Sequence, residues 1–87
     1  MNFPLYPKEA AMREEEIVEI LKRENEEFRR IYQEHRELDS QLLEFNKKHY
    51  LTPEEETEMH RIKKEKLYKK DKIAELIREY KKHHLMN

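Results

Sequence analysis

The chain has 87 residues, of which 45% are charged and 36% hydrophobic, with a formal net charge of −1, no cysteine and no glycine. That length bounds it to one domain. The missing cysteine excludes disulfides, thiolate catalysis and cysteine-ligated metals, and the missing glycine argues against a multi-strand sheet, whose tight turns recruit residues at positive φ.

The chain is expected to begin with an extended arm over residues 1–7, Met1-Asn2-Phe3-Pro4-Leu5-Tyr6-Pro7. Pro4 and Pro7 block helix there, although Pro7 can take a first helical position. The segment is neither basic enough nor long enough for a signal peptide. A single helical-hairpin domain follows over 8–85, as a helix at 8–49, a turn at 50–52 and a helix at 53–82.

Within the first helix, Ile17, Glu24, Ile31, Leu38 and Phe45 fall on one seven-residue series, and Leu21, Phe28, His35, Leu42 and His49 on another. Seven of the ten are apolar. This repeat makes one apolar stripe on an otherwise charged rod. Glu19–Arg23, Glu26–Arg30 and Glu44–Lys48 are acid-before-base pairs at helical spacing, each contributing about 0.2–0.5 kcal/mol. At the boundary, Thr52 fits an N-cap, Pro53 the first helical position and Glu55 the third. Pro53 also disfavours helix at Thr52. The second helix carries a stripe of Met59, Ile62, Lys66, Lys69, Ile73, Leu76 and Tyr80, with a flanking row of Leu67, Ala74 and Ile77.

A short connection makes the two helices antiparallel neighbours. Counting back from the turn sets Phe45 near Met59, Leu42 near Ile62, Leu38 near Lys66, Ile31 near Ile73, and Phe28 near Leu76 and Ile77. The first helix then overhangs the second by roughly two to three turns, exposing Ile17, Val18, Ile20 and Leu21. The fold class expected is therefore all-α: a coiled-coil-like antiparallel two-helix hairpin. One stripe per helix rarely stabilises so small a chain, so a homo-oligomer is expected, a dimer forming a helical bundle being favoured. Its interface and core would be Ile17, Leu21, Phe28, Ile31, Leu38, Leu42 and Phe45 with Ile62, Ile73, Leu76 and Ile77. An unidentified protein partner is the other candidate occupant of this stripe.

The spacing Asn25-x-x-Phe28-x-x-Ile31-x-x-x-His35-x-x-Leu38-Asp39-x-x-Leu42 resembles the first-helix signature of the YdcH-like small bacterial proteins. Ile62-Lys63-Lys64-Glu65-Lys66-Leu67-Tyr68-Lys69-Lys70-Asp71 resembles their second motif, of the form Leu-Lys-Lys-x-Lys-Leu-x-Leu-Lys-Asp. The resemblance covers about residues 17–80. It implies a bacterial helical hairpin of unknown biochemical function. Lys69 departs from it, standing where the pattern usually has an apolar residue, which predicts looser packing in mid-helix. The arm before residue 8 is outside the pattern.

His35, Asp39, Lys66 and Lys70 belong to these two motifs and should meet as a polar layer near the middle of the hairpin. Such a layer can fix register; alternatively the lysine stems cover apolar surface while their heads reach water. His35 and Asp39 have no accompanying nucleophile and no pocket, so no enzyme activity is expected. Residues 61–72 hold seven basic side chains against Glu65 and Asp71, a local charge of +5. A phosphate-tracking face for nucleic acid is the second functional reading; a solvated face neutralised by the other helix is preferred. His49, His60, His83 and His84 lack the spacing of a complete metal site, and no cofactor or metal is expected. Membrane association is not expected either: no apolar run approaches the roughly 20 residues that cross a bilayer, and the first helix's polar face is rich in glutamate, which anionic lipid repels. The absence of cysteine fits a cytoplasmic location.

Overall fold

The computed structural model describes residues 13–84, which form three α-helices: α1, Glu14–Glu24; α2, Glu26–Asn46; and α3, Pro53–His84. There is no strand among the described residues. The arm expected over residues 1–7 lies outside the described residues.

The fold is all-α, but the expected single helix over 8–49 is two helices. Arg13 is extended, its N–H donating to the Glu16 carboxylate at 3.0 Å, so α1 begins at Glu14. At Asn25 the chain becomes extended again (φ −125°, ψ 110°) and turns. Asn25 closes one helix and opens the next. Its N–H donates to the Leu21 carbonyl at 2.8 Å, and its side-chain Oδ1 accepts from the Phe28 N–H at 3.0 Å. Arg29 Nε donates to the Lys22 carbonyl at 2.8 Å, satisfying one of the acceptors that a helix C-terminus leaves open. Glu26 and Glu27 suit the positive end of the α2 dipole.

The bend removes the expected overhang. A straight continuation would carry Ile17 and Leu21 toward the polar end of α3 at His83 and His84. Instead they pack with Phe28, Ile31, Leu76 and Ile77 in one buried cluster, with Val18, Tyr32, Ile73 and Tyr80 packed against it. Burying a side chain of this size contributes about 1.5–3 kcal/mol. Interrupting the helix costs little here, because the freed backbone groups are recapped at about 1 kcal/mol per cap.

α2 ends at Asn46 rather than His49, and the non-helical connection spans 47–52 instead of 50–52. Phe45 is the last inward apolar residue, so beyond it no burial rewards continued helix. The Lys47 N–H still reaches the Glu44 carbonyl at 3.3 Å, and the Lys48 N–H the Phe45 carbonyl at 3.1 Å. α3 then starts with a reciprocal cap: the Glu55 N–H donates to Thr52 Oγ1 at 3.1 Å, and the Thr52 N–H to the Glu55 carboxylate at 2.9 Å. An ion pair from Lys48 to Glu55 ties the turn to the new helix. α3 runs to His84, two residues past the expected end.

α2 and α3 pack antiparallel. Leu38, Leu42 and Ile62 form a second buried cluster at the turn end, with Phe45 and Met59 packed against it. The three acid–base pairs expected along the first helix take other partners. Glu19 pairs with Lys22, Arg23 with Glu24, Arg30 with Glu34, Glu44 with Lys47, and Lys48 with Glu55. Most of these are neighbours three or four residues away and only Lys48–Glu55 crosses the turn; exposed pairs differ by less than about 1 kcal/mol, so little selects among them.

Candidate functional site

Between the two apolar clusters lies a polar waist. Its residues share the inward face of α2 and α3, because the stripe that carries Ile31 and Leu38 passes through His35, and the stripe that carries Ile62 and Ile73 passes through Lys66 and Lys69. Lys66 Nζ sits 2.5 Å from Asp39 Oδ1, and Lys69 Nζ 2.9 Å from Glu34 Oε1, one ion pair on each edge of the hairpin. Arg30 approaches Glu34 at 3.6 Å. The ammonium of Lys66 holds the Asp39 carboxyl below the usual carboxylate range, and that of Lys69 does the same for Glu34.

Two buried waist atoms lack a well-aligned hydrogen bond: Glu34 Oε1, which still has its ion pair with Lys69, and His35 Nε2, which has no ion pair. Desolvation pushes the His35 pKa down, the charges of Lys66 and Lys70 push it further, and Asp39 opposes them. Lys70 is exposed and acts on the waist only through this field.

Lys69 is the departure from the motif expected to loosen mid-helix packing, and it falls between the two apolar clusters. Its side chain is only 17% exposed, with the stem lying along the interface and the head on Glu34. Glu34 stands outside the expected layer of four, but it belongs to the acidic segment, with Glu37 and Asp39, expected to neutralise the basic side chains of 61–72. A lysine at an inward position demands an anion from the facing helix, and the register places that anion within a residue of position 35.

Of the eleven residues expected as interface and core, Ile17, Leu21, Phe28, Ile31, Leu38, Leu42, Ile62, Leu76 and Ile77 are buried. Phe45 and Ile73 are partly buried. Two leucines stand outside, Leu43 and Leu67, each 58% exposed. On α2, Leu43 lies eleven residues after Tyr32, a separation that returns to nearly the same side of a helix. α1 sits over Tyr32: Lys22 Nζ is 5.0 Å from the ring centre, and Glu14, Glu15, Val18 and Glu19 line a shallow hollow with Tyr32. On α3, Leu67, Lys70, Ala74 and Ile77 follow one row, which is buried at Ile77 beside α1 and exposed at Ala74 and Leu67. α1 thus covers one end of this face and stops before the other.

The basic stretch 61–72 is largely engaged by carboxylates. Arg61 donates to Glu58 at 3.0 and 2.7 Å and to Glu65 at 2.8 Å. Lys66 and Lys69 hold Asp39 and Glu34, and Lys72 approaches Glu75 at 3.6 Å. Lys63, Lys64 and Lys70 lack ion pairs among the described residues.

His49 and His60 are exposed. Among the described residues no three of His, Asp, Glu and Cys come together as metal ligands. His84 stacks on Tyr80 with ring centres 4.1 Å apart, and its Nδ1 lies 3.0 Å from the Tyr80 carbonyl at the end of α3. No helix among the described residues is long and apolar enough to cross a membrane.

No curated protein and no solved structure matches this chain. A family model described as "Protein of unknown function (DUF465)" matches residues 28–77, more than half the chain. The match runs from the first inward residue of α2 through the turn to Ile77 of α3, leaving α1 and Asn25 outside it. It includes both polar motifs of the waist apart from Asn25, and the chain therefore belongs to the DUF465 family of proteins of unknown function, which holds the YdcH-like proteins.

Proposed function

We propose that the chain is a non-enzymatic helical interaction module, which self-associates or docks a protein partner through the part of the hairpin face that α1 leaves uncovered. One observation carries this reading: a third helix closes the apolar face at the Phe28 end, while at the turn end no covering layer lies over the Leu38–Leu42–Ile62 cluster among the described residues, and Leu43 and Leu67 stand exposed there. Ile17 and Leu21 have no part in it, being consumed inside the fold. The non-enzymatic half of the reading is supported by the polar waist. Asp39, the carboxylate one turn from His35, is tied to Lys66 and does not orient the imidazole for proton transfer.

Leu43 and Leu67 contribute at most about 1.5–3 kcal/mol each when fully covered, and association itself costs several kcal/mol. Concentration-dependent assembly is therefore expected, with a dimer as the favoured form. Sedimentation from micromolar to millimolar protein should show mass rising with concentration. The double variant L43K/L67K should stay monomeric with unchanged helicity, since both positions face outward. A cooperative, well-folded monomer across that whole range would eliminate self-association. Retained assembly in the double variant would move the interface elsewhere.

A further inference from the structure

We propose that His35 is a pH-operated release in the middle of the hairpin, its protonation in mildly acidic medium weakening the hold of α2 on α3. His35 stands in the one gap between the two apolar clusters, with Ile31 before it and Leu38 after it on the same face. Its buried Nε2 has no acceptor to receive a proton's hydrogen bond. The groups that face it are mostly cationic. From α3 come Lys66, Lys69 and Lys70, and from its own helix Glu34 and Asp39. Both carboxylates are already occupied by lysines, Glu34 by Lys69 and Asp39 by Lys66. α1 brings Glu14, Glu15 and Glu19 only to Tyr32, about one turn away along α2. A protonated imidazole therefore adds a cation where the available anions are spent and where water is partly excluded.

The direction of the linkage follows. The folded-state pKa of His35 lies below its ordinary 6.5. As pH falls through that ordinary value, the unfolded chain takes up the proton first and is stabilised relative to the folded chain. The loss continues until pH reaches the depressed folded value, where it levels off. It amounts to about tenfold in the unfolding equilibrium constant for each pH unit of depression. Glu34 and Asp39 stay ionised through this window, because their own pKa values are lowered. At the waist, the imidazole alone changes charge.

The test is denaturant unfolding of the full chain at about pH 7.5 and pH 5.5, one unit either side of the ordinary imidazole value, for the wild type, H35Q and H35L, with an NMR titration of the His35 ring in the wild type. The remaining histidines are common to all three proteins and cancel in the comparison. The wild type should lose stability on acidification by more than either variant, and its His35 ring should titrate below 6.5. K70Q, which removes an exposed cation from the site's field, should move that titration upward. An equal acid response in wild type and H35Q, or a His35 ring titrating at or above 6.5, would overturn the proposal. If neither variant folds, the ring titration in the wild type and in K70Q decides alone.

Discussion

The two ends of this molecule are built from the same kind of sequence and reach different degrees of enclosure. At the end where the helices' outer termini meet, α1 lies across α2 and α3, and Ile17 and Phe28 are both 0% exposed. At the turn end only two helices meet among the described residues, and of Leu38, Leu42 and Ile62 only Ile62 is fully enclosed. Two amphipathic rods can bury one stripe each and no more. A third element turns one edge of that stripe, Ile77 on α3, into core and partly covers the other, Tyr32 on α2. The lesson concerns small helical proteins in general: a single bend, here at Asn25, gains a layer that no lengthening of a straight hairpin could supply.

The largest effect that would break this comparison is a difference in cavity cost. Phe28→Ala should destabilise by about 3–5 kcal/mol, whereas Leu42→Ala, at a site with room to collapse, should fall near 2 kcal/mol, the low end of its class. Urea unfolding with matched m-values measures both. Equal costs would mean that α1 adds no enclosure. The first substitution approaches the whole stability of a small domain, so lost helicity by circular dichroism is an acceptable form of the larger outcome.

The caps sharpen the comparison at a smaller scale. Asn25→Ala removes the acceptor for the Phe28 N–H at the bend, and Thr52→Ala removes the acceptor for the Glu55 N–H at the turn. Each should cost about 1 kcal/mol. Their consequences should differ in place: amide exchange should quicken around Ile17–Leu21 in the first, and around Lys48–Glu56 in the second. Uniform quickening in both would show that the two ends unfold as one unit.

The smallest expected effect is at the waist. Lys69→Leu restores the apolar residue usual in the motif and removes the partner of Glu34. Glu34 remains reachable by Arg30 and water, so stability should change by less than about 1 kcal/mol. A loss of several kcal/mol would make the Lys69–Glu34 pair a structural necessity.

Much of the architecture was legible in the residues themselves. The Thr52-Pro53-Glu54-Glu55 boundary rests on local hydrogen bonding and the geometry of proline, which do not depend on distant contacts. The antiparallel register followed from the short connection and from counting, and it brought Asp39 to Lys66 and Leu42 to Ile62. The bend was written less loudly. Glu24 breaks its apolar series, and Asn25-Glu26-Glu27 is a plausible helix start, yet the repeat resumes at Phe28 in phase and reads as one rod.

Composition and periodicity by themselves determined that this chain is helical, where it reverses, and which side of each helix turns inward, because those choices are set by neighbours three, four and seven residues away. Only the tertiary structure decided that the first rod should fold at Asn25 rather than run straight, since the gain comes from Ile17 and Leu21 meeting Leu76 and Ile77, more than fifty residues along the chain. It likewise decided that Glu34, of the acids on the facing segment, would answer Lys69 and that His35 Nε2 would be buried without a hydrogen-bond partner. Burial and ion pairing are settled by what stands opposite, and a linear pattern carries that information only after the turn has brought the two sides together.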